Sequence, residues 1–430
     1  MYTRLGSHVA AAAGKMALGS SRDKTADKFH KQAAETIRDS LSQLKGLPMK
    51  AGQLLSIVDH PLIPAEHRHH YRDAFQPLQT TSTRVRWSKI RAVFKEDLGR
   101  DPLKVFETLD TEPVAAASIG QVYRATLKDG RPVAVKIQYP GIEHAIRSDL
   151  KNIGMLKHAL SLVLRSVDVE RTLADLSERV LEECDYQVEQ RNQQAFADAW
   201  SGDPGVFIPG TVPELCGKRV LVTDFVDGQS WQEMVATADK GTKEQVARSL
   251  FRFVFRSLYV HGLLNADPHP GNFVFPEEGP VGCLDFGWVE RFETSHLDAL
   301  AAARKLAVAG KIPTPEFREA ARGAWGLPEF DDEEWSFMKD YFAALFAPVL
   351  VDSFRYDNDY AETLTQLSLR GSFLFTRKAL SKGVHEAQGP GVLSLGRVTY
   401  GVTALLNHLD VESDWGAMVR EIDAEREANV

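Results

Sequence analysis

The sequence predicts an α+β chain with a small β-rich lobe, then a mostly helical lobe, and helical extensions at both ends. Three observations predict it. Residues 1 to about 100 have Ala-, Lys- and Gln-rich helical texture. Short β-friendly runs follow between Val114 and Gln138 and between Arg219 and Val226. Helical patterning returns from about residue 243, broken only by brief apolar runs at 272–275 and 281–284.

Composition sets the bounds. The chain has 430 residues, 43% hydrophobic and 26% charged, enough to bury a sizeable core and too apolar for wholesale disorder. A formal net charge of −8 argues against a general nucleic-acid binder. The charge is uneven: residues 1–100 hold 17 Lys/Arg against 9 Asp/Glu. A basic front on an acidic body suits an anionic partner such as a membrane surface, and equally a solvated helix face. Cys184, Cys216 and Cys283 are far apart and odd in number, so neither a disulfide scaffold nor a CxxC metal site follows. A reducing, cytoplasmic compartment is the expectation. No run reaches the roughly 18 apolar residues of a membrane span. The first 22 residues lack Asp and Glu, a composition shared by transit peptides and by ordinary amphipathic helices. The helix is the reading taken, and organellar targeting stays open.

Each element has its reason. The helical extension, residues 1–105, breaks at Leu47-Pro48 and His60-Pro61. Val114 to Ala125 reads as a strand, Lys128-Asp129-Gly130 as a turn, and Pro132 to Gln138 as a second strand, making a hairpin. Helical patterning over 142–200 and a strand ending at Asp227-Gly228 complete a lobe of residues 106–228. Residues 229–430 form the helical lobe. Its long helix near 243–262 carries Arg248, Arg252 and Arg256 at i, i+4, i+8, a charged stripe on a buried helix. Gly389-Pro390-Gly391 breaks the C-terminal helices.

The chemistry lies in a few motifs. Gly14-Lys15 is not a phosphate-binding P-loop, because Met16 follows it and Val9 stands where a glycine is required. Lys136, in Val133-Ala134-Val135-Lys136, sits inside an apolar strand, where an ammonium needs an anion. Ahead of it, Ala115-Ala116-Ala117-Ser118-Ile119-Gly120-Gln121-Val122 has the register of a kinase glycine-rich loop, with alanine at the first two glycine places. Methyl groups there restrict the close backbone approach that glycine permits. With Val122 and Ala134, this segment forms the candidate nucleotide-covering surface. Asp267 and Asn272 are five apart, as in a kinase catalytic loop, and Asp285-Phe286-Gly287 follows the next apolar run. Asn272 and Asp285 offer the oxygen ligands that Mg²⁺ prefers, leaving Asp267 to face the nucleophile. Backbone groups of Asp224 and Val226 are placed to meet an adenine edge. Glu182, Glu183, Asp185 and Glu189 form an acidic helical patch, from which Glu183 is chosen to pair with Lys136. His60, His67, His69 and His70 invite a metal site, but a loop of solvated histidines without a Cys or carboxylate partner set is the reading taken.

Together these residues resemble the UbiB/AarF family of atypical protein-kinase-like proteins, associated with coenzyme Q and prenyl-lipid metabolism. The resemblance spans residues 45–290 and includes Lys50-Ala51-Gly52-Gln53, the Ala-rich loop, Glu183-x-Asp185 and the Asp267, Asn272, Asp285 set. It implies a two-lobed kinase-like fold in which Lys50 and Gln53 reach the nucleotide pocket. It also implies an enzyme binding ATP or ADP with Mg²⁺, and a prenyl lipid or quinone precursor as partner. The catalytic-loop His-Arg of typical kinases is replaced by Asn265-Ala266, and no A-P-E follows Gly287. Mg²⁺-dependent ATPase or phosphotransfer activity is expected. A small-molecule kinase of the aminoglycoside or choline type, and a catalytically silent, nucleotide-switched lipid-binding scaffold, are the alternatives.

Overall fold

A computed structural model describes residues 85–151, 181–382 and 391–428, with Asp27, Lys31, Gln32, Ala34, Glu35, His67, His69, His70 and Asp73. Lys50 and Gln53 lie outside the described residues. The chain divides into two compact units. One comprises Met1–Gly130, Val135–Asp185 and Gly217–Val220, the other Arg131–Ala134, Tyr186–Cys216 and Leu221–Val430.

In the first unit, helix α1 (Trp87–Leu98) buries Ile90, Val93 and Phe94, the i, i+3, i+4 stripe of an amphipathic helix. It stops at Gly99, whose φ of 65° makes the left-handed cap that glycine adopts without strain. Helix α2 (Pro102–Val105) starts on the Asp101 side chain, which accepts the Leu103 amide. Strands β1 (Thr108–Leu109), β2 (Ala115–Ala117), β3 (Gly120–Thr126) and β4 (Pro132–Gln138) follow. Trp87 meets Tyr123 edge-on at 5.0 Å, and Phe94 meets Phe106 at 6.0 Å. Along β4, Val133, Val135 and Ile137 are buried while Ala134 and Lys136, on the opposite side, are half-buried.

The expected strand from Val114 to Ala125 is in fact two strands. β2 folds back on β3 in antiparallel register, Ala115 opposite Val122 and Ala117 opposite Gly120, with the turn at Ser118-Ile119. Pairing satisfies backbone groups that an open loop would leave to water. Helix α3 (Ile142–Lys151) comes next. The acidic patch is not one helix: a turn at Glu183-Cys184 and the irregular Asp185 separate Glu182 from α4 (Tyr186–Ala199), which carries Glu189.

The second unit holds α4, β5 (Val206–Phe207), β6 (Val220–Asp224, whose first residue belongs to the other unit), α5 (Trp231–Thr237) and α6 (Lys240–His261). In the five-stranded sheet the order is β1–β3–β4–β6, with β2 also on β3. After α6 come β7 (Leu263–Asn265), β8 (Phe273–Val274), β9 (Val281–Cys283) and β10 (Val289–Arg291). The chain then runs through α7 (Thr294–Val308), α8 (Pro315–Trp325), α9 (Asp332–Leu350), β11 (Phe354–Arg355), α10 (Asn358–Lys382), α11 (Val392–Leu409), β12 (Glu412–Ser413) and α12 (Trp415–Ala428).

Helix α6 is the centre of this unit. Asp239 caps its start by accepting the Thr242 amide, and Leu250, Phe251, Phe253 and Val254 are buried. Its arginine stripe is paired rather than bathed in solvent. Arg252 meets Asp203 at 2.6 Å, Arg256 meets Glu425 at 2.6 Å, and Arg248 donates to Ser413 at 3.0 Å. No helix among the described residues is long and apolar enough to cross a membrane.

Candidate functional site

The Asp267–Asn272 segment is built by the end of α6. Gly262 stops the helix with φ 65°, and a Cβ there would come within 2.9 Å of the Phe292 carbonyl. The chain leaves as β7, which pairs with β10 so that Asn265 faces Val289. Ala266 is fully buried, and its amide donates to the Trp288 carbonyl at 2.9 Å. Asp267 therefore emerges from a strand held by its pairing with β10.

Asn265 joins the two acidic positions. Its Nδ2 donates to the Asp285 carbonyl at 2.8 Å, and its Oδ1 accepts the Asp267 amide at 3.0 Å. In sequence, Asn265 stands out only as the replacement of a kinase catalytic-loop histidine. Its two-ended amide, buried to 7% exposure, is what sets the spacing of the segments.

Asn272 ends a 3₁₀ turn, Pro270–Asn272, and its Nδ2 donates to Asp267 Oδ2 at 3.0 Å and to the Asp267 carbonyl at 2.9 Å. Both contacts use the amide nitrogen, which leaves the oxygen end for a cation. β8 and β9 pair antiparallel, Phe273 opposite Cys283, and the Leu284 amide donates to the Asn272 carbonyl at 2.9 Å. Asn272 and Asp285 thus sit at adjoining ends of one short hairpin. Asp285 Oδ1 accepts the Gly287 amide at 2.9 Å, fixing the turn. Phe286 is fully buried 4.9 Å from Phe196, and its carbonyl accepts from Asn192 of α4. Cys283 is buried, and desolvation pushes its thiol far above the usual range, so it is not a nucleophile here.

Arg397 is the residue that sequence reading missed. From α11 its Nη2 donates to Asp267 Oδ1 at 2.6 Å and its Nε to the Ala266 carbonyl at 2.9 Å. Its guanidinium lies 4.6 Å over the Trp288 ring. Ser394, one turn earlier, donates to Glu290 at 3.0 Å. Gly401, one turn later, has no room for a side chain, because a Cβ there would overlap the Pro268 ring. Ser394, Arg397 and Gly401 form one i, i+3, i+7 stripe of α11 pressed on the loop. No sequence motif marks an arginine 130 positions away.

Of the remaining expected residues, Ala115, Ala116 and Ala117 form β2, Ser118 lies in its turn, and Val122 is on β3. The tip is anchored: Ile119 is 1% exposed and its carbonyl accepts the Tyr139 amide at 2.8 Å. Gln138, two residues after Lys136, donates to the Cys184 carbonyl at 2.9 Å, which brings the Glu183 turn to the strand carrying Lys136. Glu189 is 4% exposed on α4. The Asp224 amide donates to the Gly210 carbonyl at 2.8 Å, and its carboxylate meets Arg131 at 3.0 Å. A nucleotide edge at this position would have to use the Asp224 carbonyl, with the Val226 amide as the other contact.

The family model for the ABC1 atypical kinase-like domain matches residues 77–310. The atypical kinase COQ8B, mitochondrial, of Rattus norvegicus is 33% identical over 279 residues, covering 64% of this chain and 52% of its own length. The atypical kinase COQ8, mitochondrial, of Saccharomyces cerevisiae is 30% identical over 254 residues, covering 59% and 50%. The chain spans about half the length of these curated relatives. Among solved structures, the Rv3197–erythromycin complex from Mycobacterium tuberculosis superposes with a TM-score of 0.62 at 28% identity, covering 94% of this chain and 98% of that one.

Proposed function

The chain belongs to the ABC1 atypical kinase-like family, and on that premise we propose that it binds a Mg²⁺–adenine nucleotide and transfers or hydrolyses the γ-phosphate. The observation that carries this reading is the juxtaposition of Asn272 and Asp285 at adjoining ends of the β8–β9 hairpin, with Asp267 hydrogen-bonded to Asn272. The donor set fits the ion: one carboxylate and one amide oxygen, hard ligands without sulfur or imidazole. Bound Mg²⁺ would neutralise phosphate charge.

The chain's own groups supply the rest. Lys136 meets the α- and β-phosphates, and Glu183 positions it. Asp267 orients the attacking water or hydroxyl and accepts its proton. The Asn265 strut and the α11 stripe hold Asp267 in place before any ligand arrives, and positioning of this kind is most of what phosphoryl transfer asks of a protein. Turnover and phosphate binding in Glu183→Gln test its pairing with Lys136. Lys50 and Gln53 act on the phosphotransfer outcome. A prenyl lipid or quinone precursor is the expected cargo, with the basic N-terminal hundred residues meeting an anionic surface, in an organelle as the relatives' names suggest.

Calorimetry of Mg²⁺-ATP with Asp285→Asn tests the reading. Binding should vanish while the melting temperature holds, and unchanged affinity would overturn the metal assignment. Lys136→Ala with full turnover would likewise remove the lysine from the site. A second reading, a small-molecule kinase, gains support from the erythromycin complex of the structural relative. Labelled ATP with the purified chain, vesicles and candidate acceptors including erythromycin separates the two. Free phosphate supports an ATPase, and a labelled acceptor supports the second reading.

A further inference from the structure

The carboxylate brought to the histidine cluster is that of Asp27, distant in sequence. Asp27 Oδ1 lies 2.6 Å from His70 Nε2 and 3.3 Å from His67 Nδ1. One donor atom each from Asp27, His69 and His70 falls within 4.8 Å of the others. The His69 and His70 rings approach to 3.9 Å between centroids, and His67 stacks on His70 at 6.3 Å with 13° between planes. Two of the three histidines are withdrawn from solvent: the side chains of His67 and His70 are 9% and 14% exposed, with Asp27 at 49% and His69 exposed.

We propose that Asp27, His69 and His70 form a binding site for a divalent transition-metal ion of the zinc class, with His67 orienting the Asp27 carboxylate. Zinc bonds of about 2.0–2.1 Å in tetrahedral geometry place ligand atoms roughly 3.3 Å apart. The present separations, 2.6 Å for one pair and within 4.8 Å for all, bracket that edge, so small rotations of Asp27 and His69 open the site. Two imidazoles and one carboxylate leave a fourth position for water or a further ligand. Imidazole donors exclude preference for Mg²⁺ or Ca²⁺, which take oxygen ligands. A second imidazole hydrogen-bonded to a ligating carboxylate is the outer-shell arrangement that fixes such ligands. The site lies outside the matched kinase-like segment of residues 77–310. The stretch between its ligands, residues 28–68, carries Lys50 and Gln53, so an ion here ties both ends of that stretch together.

The test uses the full, tag-free chain stripped with chelator and titrated with Co²⁺, then with Zn²⁺ as competitor. One equivalent should give the intense visible bands of tetrahedral cobalt, displaced by zinc. His69→Gln, at an exposed position, should weaken binding about tenfold or more, and Asp27→Asn with His70→Gln should abolish the bands. Zinc should raise the melting temperature of the native chain but not of the double variant. Circular dichroism of the metal-free variants checks that they fold. Asp285→Asn should keep the cobalt bands, which separates this site from the proposed Mg²⁺ position. No tetrahedral bands, unchanged affinity in folded His69→Gln and double variants, or bands lost in Asp285→Asn would overturn the assignment.

Discussion

Arg397 and Asp267 are 130 positions apart in sequence and 2.6 Å apart in space. With Asn272 on the other oxygen, both oxygens of the Asp267 carboxylate are held by named donors from different elements. The arginine reaches Asp267 by a guanidinium fork that also binds the Ala266 carbonyl.

Arg397→Ala should lower ATP turnover about ten- to a hundredfold, the rate equivalent of the roughly 1.5–3 kcal/mol that a hydrogen bond to a charged group contributes. Arg397→Lys should not rescue it, because an ammonium cannot bridge both acceptors and stack on Trp288. Steady-state kinetics check this, with an unchanged KM for ATP expected for a positioning residue. A loss confined to KM would assign Arg397 to ligand binding instead.

Gly401→Ala and Gly396→Ala make a matched pair on α11. Alanine gains roughly 0.5–1 kcal/mol over glycine in a helix interior at either position. A Cβ at 396 meets nothing within 4 Å, whereas one at 401 overlaps the Pro268 ring, which cannot rotate away. Gly396→Ala should therefore raise the melting temperature and leave activity alone. Gly401→Ala should lower both, since overpacking of this kind costs about 1–3 kcal/mol and moves Arg397 off the loop. Thermal melts and ATP turnover on both variants decide it.

Ala117→Gly addresses the β2–β3 hairpin. Ala117 pairs with Gly120 at the last rung before the turn. Glycine there removes a methyl and should cost roughly 0.5–1 kcal/mol of strand stability. Tighter Mg²⁺-ATP binding and altered phosphotransfer, such as autophosphorylation, should accompany the lower melting temperature. A change in melting temperature alone would make the alanines purely structural.

His261 governs an acid limb of stability. Burial first, then the Arg256 charge, hold its imidazole below the usual 6.5, with Glu425 pulling the other way. Its Nε2 is buried without a hydrogen-bond partner. The folded state therefore binds this proton less readily than the unfolded chain, so the contribution is present above about pH 6.5 and lost as pH falls through the lowered folded value. His261→Gln should flatten the stability difference between pH 7.5 and pH 5.5 in urea melts. An unchanged slope would assign the acid limb to other groups.

The fold class, the β3–β4 hairpin and the long helix were legible because local rules govern them, and motif spacing drew attention to Asp267, Asn272 and Asp285. Turn chemistry, alternation and i, i+4 spacing act within a dozen residues. What stayed hidden depends on distant pairing. The fold-back of Ala115–Ala117 on β3 looks in sequence like a continuing strand, because alanine does not signal a turn. Distant partners hold the arginine stripe, and Asp203 and Glu425 stand 49 and 169 positions from Arg252 and Arg256. Asp27 joins His70 across 43 positions, a pairing that the local histidine pattern does not mark.

The tethered tip at Ile119 would act as a kinetic gate for a nucleotide bound beneath it. Lifting it exposes one buried isoleucine and breaks the hydrogen bond from the Tyr139 amide to the Ile119 carbonyl, about 1.5–3 kcal/mol plus about 1 kcal/mol. The raised state is then populated in about one molecule in a hundred to one in a thousand at any instant. A ligand that must pass under this tip arrives at its encounter rate scaled down by that fraction, and leaves equally reluctantly. Proton exchange at the Tyr139 amide reads the same fraction directly, without any ligand present.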